Sequence, residues 1–165
     1  MADVPDRDHI LRLVSGGTID EDRKSVNGTA FRMRDRDVQS GTGLSVNWIE
    51  HLAELTKSEA VAEIWSVQKR KLSGIRARHC LAELNVGKMR AYVAAKEVNR
   101  DLEVHHHPIQ ADDSKPEVVP DSSHAGIHGY MPEEDIICTL IAQAVDGLHD
   151  QSGGYEQFFF PDATD

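Results

Sequence analysis

Five of the nine histidines in this chain lie between residues 105 and 128: His105, His106, His107, His124 and His128. Imidazole titrates near neutrality, so closely spaced histidines suit acid–base chemistry or metal ligation. Their placement matters more than their number. The segments DLEVHHH (101–107) and SSHAGIHGY (122–130) both alternate apolar and polar residues, and a strand sends alternate side chains to opposite faces. Leu102, Val104 and His106 then share one face, and Glu103, His105 and His107 share the other. In the second segment Ala125, Ile127 and Gly129 oppose His124, Gly126, His128 and Tyr130. With the apolar faces turned to a core, the polar faces collect His105, His107, His124 and His128, with Glu103 and Tyr130 nearby. His106 is expected to turn inward as a hydrogen-bonded core histidine.

Such a face could do two kinds of chemistry. An H-x-H pair on a strand can supply two ligands of one coordination sphere, and a third histidine would complete an open site. Alternatively, two histidines flanking a phosphoester could act as general base and general acid with no metal. A run of histidines can also be a plain solvated strand face. His124 and His128 are the stronger half, because small neighbours such as Gly126 let a ligand or another backbone come close. The candidate catalytic set is therefore His124, His128, His105 and His107; the pattern assigns no resident metal and names no cofactor. Arg32, Arg34 and Arg36 alternate with Met33 and Asp35. On a strand they would share a face and grip a phosphate bidentately, or else pair with the interleaved aspartates. Arg32, Arg34 and Tyr130 are the candidate substrate contacts.

The elements that must position these residues read as an α+β domain, a small and mostly antiparallel sheet packed against three to four helices. His9 to Ser15 predicts a first strand ended by Gly16-Gly17, and Thr29 to Met33 a short second one. Asp35 to Thr42 reads as a polar loop. From Ser45 the recurrence of Val46, Ile49, Leu52 and Leu55 at three-residue steps predicts a helix. Thr56 and Glu59 have capping-box spacing before a helix that runs to about Leu72. Arg78 to Val98 reads as a strand, a break at Gly87 and an Ala-rich helix. After the two histidine strands, Pro132 takes the first helical position, ahead of an apolar stripe from Ile136 to Val145 that ends at Gly147. Residues 1–150 form the expected globular domain, and 151–165 an acidic tail holding Phe158, Phe159 and Phe160, either flexible, docking or packed back.

Composition narrows the class. The 165 residues carry a net charge of −10 and 39% hydrophobic residues, and they fit one folded domain with a real core. No apolar run approaches the ~18 residues of a membrane span, and Met1 to Asp8 shows no apolar stretch of a secretory signal. Cys80 and Cys138 sit in apolar stretches as small hydrophobes, which fits a reducing, cytoplasmic setting. The charge is uneven. Between Ser66 and Arg100 stand nine cations (Lys69, Arg70, Lys71, Arg76, Arg78, Lys88, Arg90, Lys96, Arg100) against Glu83 and Glu97. The overall acidity argues against broad coating of nucleic acid, while the local cations leave room for a phosphate-bearing ligand.

Two functions follow as expectations. The first is a small histidine-dependent enzyme acting on a phosphate-bearing substrate such as RNA, a nucleotide or a phosphoester. The second is a non-catalytic accessory or adaptor subunit, docking a protein partner or a second copy through the basic middle and the C-terminal tail. A metal-binding regulatory domain is a third, weaker reading.

Overall fold

The computed structural model describes residues 2–97 and 99–159. Eight strands make one antiparallel sheet. In chain order they are β1 (Ala2–Asp3), β2 (His9–Val14), β5 (Leu44–Trp48), β6 (Cys80–Asn85), β7 (Glu103–His106), β8 (His124–His128), β9 (Gly147–His149) and β10 (Tyr155–Gln157); β3 (Ile19–Asp20) and β4 (Ser25–Val26) form a separate two-stranded ribbon. The spatial order is β1-β7-β8-β5-β2-β6-β9-β10. Four helices complete the α+β fold: α1 (Asp35–Ser40), α2 (Lys57–Lys71), α3 (Val86–Lys96) and α4 (Asp135–Gln143). No helix among the described residues is long and apolar enough to cross a membrane.

One choice of parity sorts the sheet. Ile10, Val46, Leu84, Val104, Ile127 and Leu148 turn to the first face, where Met89 and Val93 of α3 and Ile137 and Ile141 of α4 close the main core. The second face is different. Its centre, Leu11 on β2 and Leu81 on β6, packs under Val61, Ile64 and Trp65 of α2. Both flanks of this face are polar. On one side lie Ser45, Asn47, His124, His128, Glu103 and His105; on the other lie Glu83, His149 and Tyr155, as the pairings Asn47↔His124, Gly126↔His105, Leu81↔His149 and Tyr155↔His149 require. Helix α2 is thus a ridge between two polar troughs.

The start of α2 is fixed by the expected capping box: Glu59 N–H donates to Thr56 Oγ1 at 3.3 Å, and Thr56 N–H donates to Glu59 Oε2 at 2.8 Å. Lys57, Val61, Ile64, Gln68 and Lys71 recur at helical spacing and form the sheet-facing stripe. The two lysines each reach a buried carboxylate of the fold, Lys57 to Glu83 at 2.6 Å and Lys71 to Asp121 at 2.9 Å.

Several expectations are corrected. Residues 29–31 lie in a short 3-10 turn, and the polar stretch after Arg34 forms α1 rather than a loop. The segment after Gly43 is β5, not a helix. The three-residue recurrence there mixes strand positions (Val46) with a later 3-10 turn at Glu50–Leu52. The break after β6 falls at Asn85, whose side chain caps α3 by accepting from Lys88 N–H at 2.9 Å, and Gly87 sits inside the helix. Helix α4 starts at Asp135 instead of Pro132. Gly147 opens a strand, and Tyr155–Gln157 adds β10 to the sheet edge, so the chain after 150 enters the fold. Phe158 is buried in the main core and Phe159 is exposed, while Phe160 lies outside the described residues. These unread strands make the sheet larger than the small one expected.

The basic window is largely neutralised by acids from elsewhere. Arg78 pairs with Glu21, Lys88 with Asp146, Arg90 with Asp6 and Asp101, Lys71 with Asp121 and Arg100 with Glu134. The last turns of α2 keep open positive charge at Lys69 and Arg70: among the described residues Arg70 meets Glu63 at 4.0 Å, and Lys69 lies over the Trp65 ring.

Candidate functional site

The two histidine strands are neighbours. β7 and β8 pair antiparallel with Glu103 opposite His128 and His105 opposite Gly126, so the four expected histidines do share one face. Beyond the end of β7, His107 N–H donates to the His124 carbonyl at 2.9 Å and carries the pairing on.

They divide into two groups. His105, His107 and His128 gather over Gly126. The His107 and His128 Nε2 atoms lie 3.1 Å apart, so one ring carries the proton and the other accepts it. The His105 and His128 rings lie 4.9 Å apart. Gly126 is needed here. A Cβ on it would stand 1.8 Å from the Thr42 carbonyl oxygen and 3.2 Å from His128 Nε2. Burial, then the neighbouring His105, hold both His107 and His128 below the usual imidazole range, which favours neutral rings. His105 has both nitrogens taken, by Asp3 Oδ1 at 2.7 Å and Glu103 Oε2 at 2.8 Å. No group of three or more His, Cys, Asp or Glu among the described residues is arranged to hold a metal ion.

His124 stands apart from that trio. It is buried, with Nδ1 2.8 Å from the His107 carbonyl oxygen and Nε2 3.0 Å from Ser45 Oγ. A carbonyl only accepts, so Nδ1 must carry the hydrogen. Nε2 is then a lone-pair acceptor, and the Ser45 hydroxyl is the group that donates to it. Burial also holds the His124 pKa below its ordinary value, so the ring is neutral at neutral pH. A hydroxyl donating to a neutral imidazole whose other nitrogen is pinned is the arrangement of an activated nucleophile and its base.

Below this pair lies a buried polar network. Asp121 accepts from Asn47 Nδ2 at 2.9 Å, from Ser123 Oγ at 3.0 Å and from Lys71 Nζ at 2.9 Å, while Asn47 Oδ1 accepts from Gln68 Nε2 at 2.7 Å. Burial alone would push the Asp121 carboxyl up, but Lys71, Asn47 and Ser123 hold it below the usual carboxylate range. Every polar atom named in this network has a partner, which fixes β5 against β8 and against α2.

Ser45 opens on a cationic cleft. A cavity of about 160 Å³ is lined by Ser45, Arg12, Arg34, Arg36, Asn47 and Lys71, with one acid, Asp37, 3.9 Å from Arg36. It shares Arg12, Leu13, Arg34 and Leu72 with a neighbouring cavity of about 340 Å³ that reaches Arg32. Arg12 is fastened by its guanidinium, which donates to the Ala30 carbonyl at 3.1 Å and the Ser45 carbonyl at 2.9 Å. On its other side His124 lines a shallow cavity with Thr42, His106 and His107. The serine–histidine pair therefore sits between a positively charged cleft and an open shelf.

The remaining expected residues fall as follows. Arg34 lines both cavities of the cleft, and Arg32 lines the outer one, where it pairs with Asp135. The arginines reach the cleft from the turn and N-terminus of α1, not from a strand. Tyr130 is a correction: it is buried in the main core on the opposite face, its hydroxyl donates to the Phe31 carbonyl at 2.6 Å, and it lines none of these cavities. The reversal comes after β8, where Gly129 adopts φ +101° and ends the alternation that would have placed Tyr130 beside His128. His106 does turn to the other face, but it stays half-buried, edge-on to Trp48, tilted against His51 and bonded to the Ser122 carbonyl. Sequence reasoning missed Ser45, Asn47 and Asp121. The signal was present in LSVNW, whose Leu44 and Val46 alternate with Ser45 and Asn47.

Comparison of the chain with protein-family models, with curated proteins and with solved structures finds no match.

Proposed function

We propose that the chain is a histidine-dependent enzyme acting on a phosphate-bearing substrate, with His124 as general base and Ser45 as the nucleophile it activates. The observation that carries this reading is the Ser45–His124 contact at 3.0 Å, with His124 Nδ1 held by a carbonyl, beside a cleft of four cations. Arg34 and Arg36 are the phosphate contacts, since guanidinium matches phosphate oxygens two at a time. Lys71, committed to Asp121, positions the network beneath.

In this reading a phosphoester places its phosphoryl group in the cleft and its leaving alcohol on the shelf by Thr42 and His107. Ser45 Oγ forms the new O–P bond as its proton passes to His124 Nε2. The bond from phosphorus to the leaving oxygen breaks, and the His124 proton goes to that oxygen. Water then attacks the phosphoserine, giving its proton to His124. The phosphorus–Oγ bond breaks, and the proton returns to Ser45. Asp121 holds Asn47 and the β5–β8 register, and is a positioning residue.

The test is turnover of p-nitrophenyl phosphate and bis(p-nitrophenyl) phosphate, with mass analysis of the Ser45 peptide after rapid quenching. The expected result is release of nitrophenolate, a phosphoryl mass on Ser45, and loss of both in Ser45→Ala and His124→Ala. Full turnover by Ser45→Ala removes the nucleophile role, and absence of turnover of either ester by the native chain overturns the reading.

A further inference from the structure

The second trough, on the far side of α2, holds a cavity of about 840 Å³. That size suits a small organic ligand. It has no part in the serine–histidine chemistry, and its composition differs. Trp65 and Tyr155 provide aromatic surface, Val61 and Ala62 an apolar wall, and Lys69 and Arg70 positive charge at the rim. His149 forms part of the floor and is nine-tenths buried.

The floor is built rather than incidental. His149 Nε2 lies 2.5 Å from Glu83 Oε2, and Lys57 Nζ lies 2.6 Å from Glu83 Oε1. Burial pushes the Glu83 carboxyl up, but His149 and Lys57 hold it below its usual range, so it stays ionised and fully engaged. The Tyr155 ring lies on His149, with centroids 4.5 Å apart, and the tyrosine remains half exposed on its outer side. Trp65 is fixed by its indole N–H, which donates to the Asp150 carbonyl at 3.1 Å. The acids around the cavity each have partners, Glu63 reaching Arg70 at 4.0 Å. Glu83 is paired, and Asp150 accepts from Ser152 and from Gly154 N–H. Positive charge here is conspicuous in a chain of net charge −10.

We infer that this trough binds a mononucleotide, with the planar base against Tyr155 and the phosphate at Lys69 and Arg70. A flat aromatic ring gains stacking on an aromatic face with either base identity, and lysine and arginine favour the phosphate. The site is separate from the serine–histidine cleft and stands or falls without it.

Isothermal titration calorimetry with AMP, adenosine and inorganic phosphate tests it. AMP is expected to bind, with adenosine and phosphate each at least tenfold weaker. Lys69→Ala with Arg70→Ala should raise the AMP dissociation constant at least tenfold, and Tyr155→Ala should weaken AMP and adenosine alike. Arg34→Ala with Arg36→Ala removes phosphate binding in the serine cleft, and the AMP heat that depends on Lys69 and Arg70 should persist in that variant. The inference is overturned by no AMP heat at millimolar concentration or by insensitivity to the Lys69 and Arg70 changes. AMP binding lost only with Arg34 and Arg36 also overturns it, and assigns the nucleotide to the serine cleft instead.

Discussion

The two troughs flanking α2 use the same parts and arrive at different chemistry. Each has a buried carboxylate reached by a lysine of α2, Asp121 with Lys71 on one side and Glu83 with Lys57 on the other. The lysines stand about four helical turns apart on one stripe, so a single helix is fastened at both ends. Each trough also has a buried histidine. In the first, His124 gives its N–H to a carbonyl and turns a lone pair to a serine hydroxyl. In the second, His149 Nε2 faces an ionised carboxylate and must donate its N–H there. A histidine becomes a base through what occupies its other nitrogen, and burial alone does not decide it. In the proposed reading the first trough reacts and the second binds.

The sharpest break of that comparison is in turnover. Ser45→Ala and His124→Ala are each expected to lower phosphoester hydrolysis by roughly 10³-fold, about 4 kcal/mol in the barrier. His149→Gln should leave it within about twofold. Comparable losses in both troughs, read as kcat/KM, would erase the distinction.

Stability separates the two carboxylates next. Asp121→Asn sets an amide N–H₂ against the donors of Asn47, Ser123 and Lys71, in a site that is almost fully buried. The expected loss is about 3 kcal/mol in urea unfolding. Glu83→Gln should cost less, about 2 kcal/mol, because the Lys57 side chain is 54% exposed and can turn to water. The reverse order would show that the second trough is the stronger anchor.

Gly126→Ala comes third. The added methyl must displace the Thr42 backbone or the β7–β8 pairing, at about 2 kcal/mol or more. Gly74→Ala, with nothing within 4 Å of the added carbon, should change stability by under about 0.5 kcal/mol. A Gly126→Ala chain as stable as the native one would contradict the packing of Thr42 over β8.

The smallest effect is on pH. His107, His124 and His128 have folded pKa values below that of a free imidazole, by burial first. The unfolded chain therefore binds more protons just below about pH 6.5. Their contribution to stability is full above that value and is lost as pH falls toward the folded pKa values. The melting temperature should decline from pH 6.5 to 5, and His107→Gln with His128→Gln should flatten that decline. Activity should follow His124 alone, rising with pH to a plateau already reached by neutrality. An unchanged slope in the double variant would place the titration elsewhere.

The parts of this arrangement read in advance are those whose signal is local. The alternation of DLEVHH and HAGIH gave two strands and their faces, and the reciprocal Thr56–Glu59 spacing gave the start of α2. Ser45 was misplaced because its segment carries two periods at once. Val46, Ile49, Leu52 and Leu55 fit a helix, and Leu44–Trp48 fits a strand; in so short a window neither excludes the other. With the strand lost, Ser45 and Asn47 could not be set beside His124. The strands β9 and β10 went unread for a related reason, since three-residue strands gain nearly all their stability from neighbours.

The sequence by itself determined the α+β class, the acidic charge with its basic inset, and which histidines share a face, because each depends on composition or on the two-residue repeat of one strand. Only the tertiary structure decided what each histidine bonds to. That depends on partners distant in sequence: Ser45 is 79 residues from His124, and Glu83 is 66 from His149. The tautomer of an imidazole is set by those partners, and no periodicity in the chain encodes them.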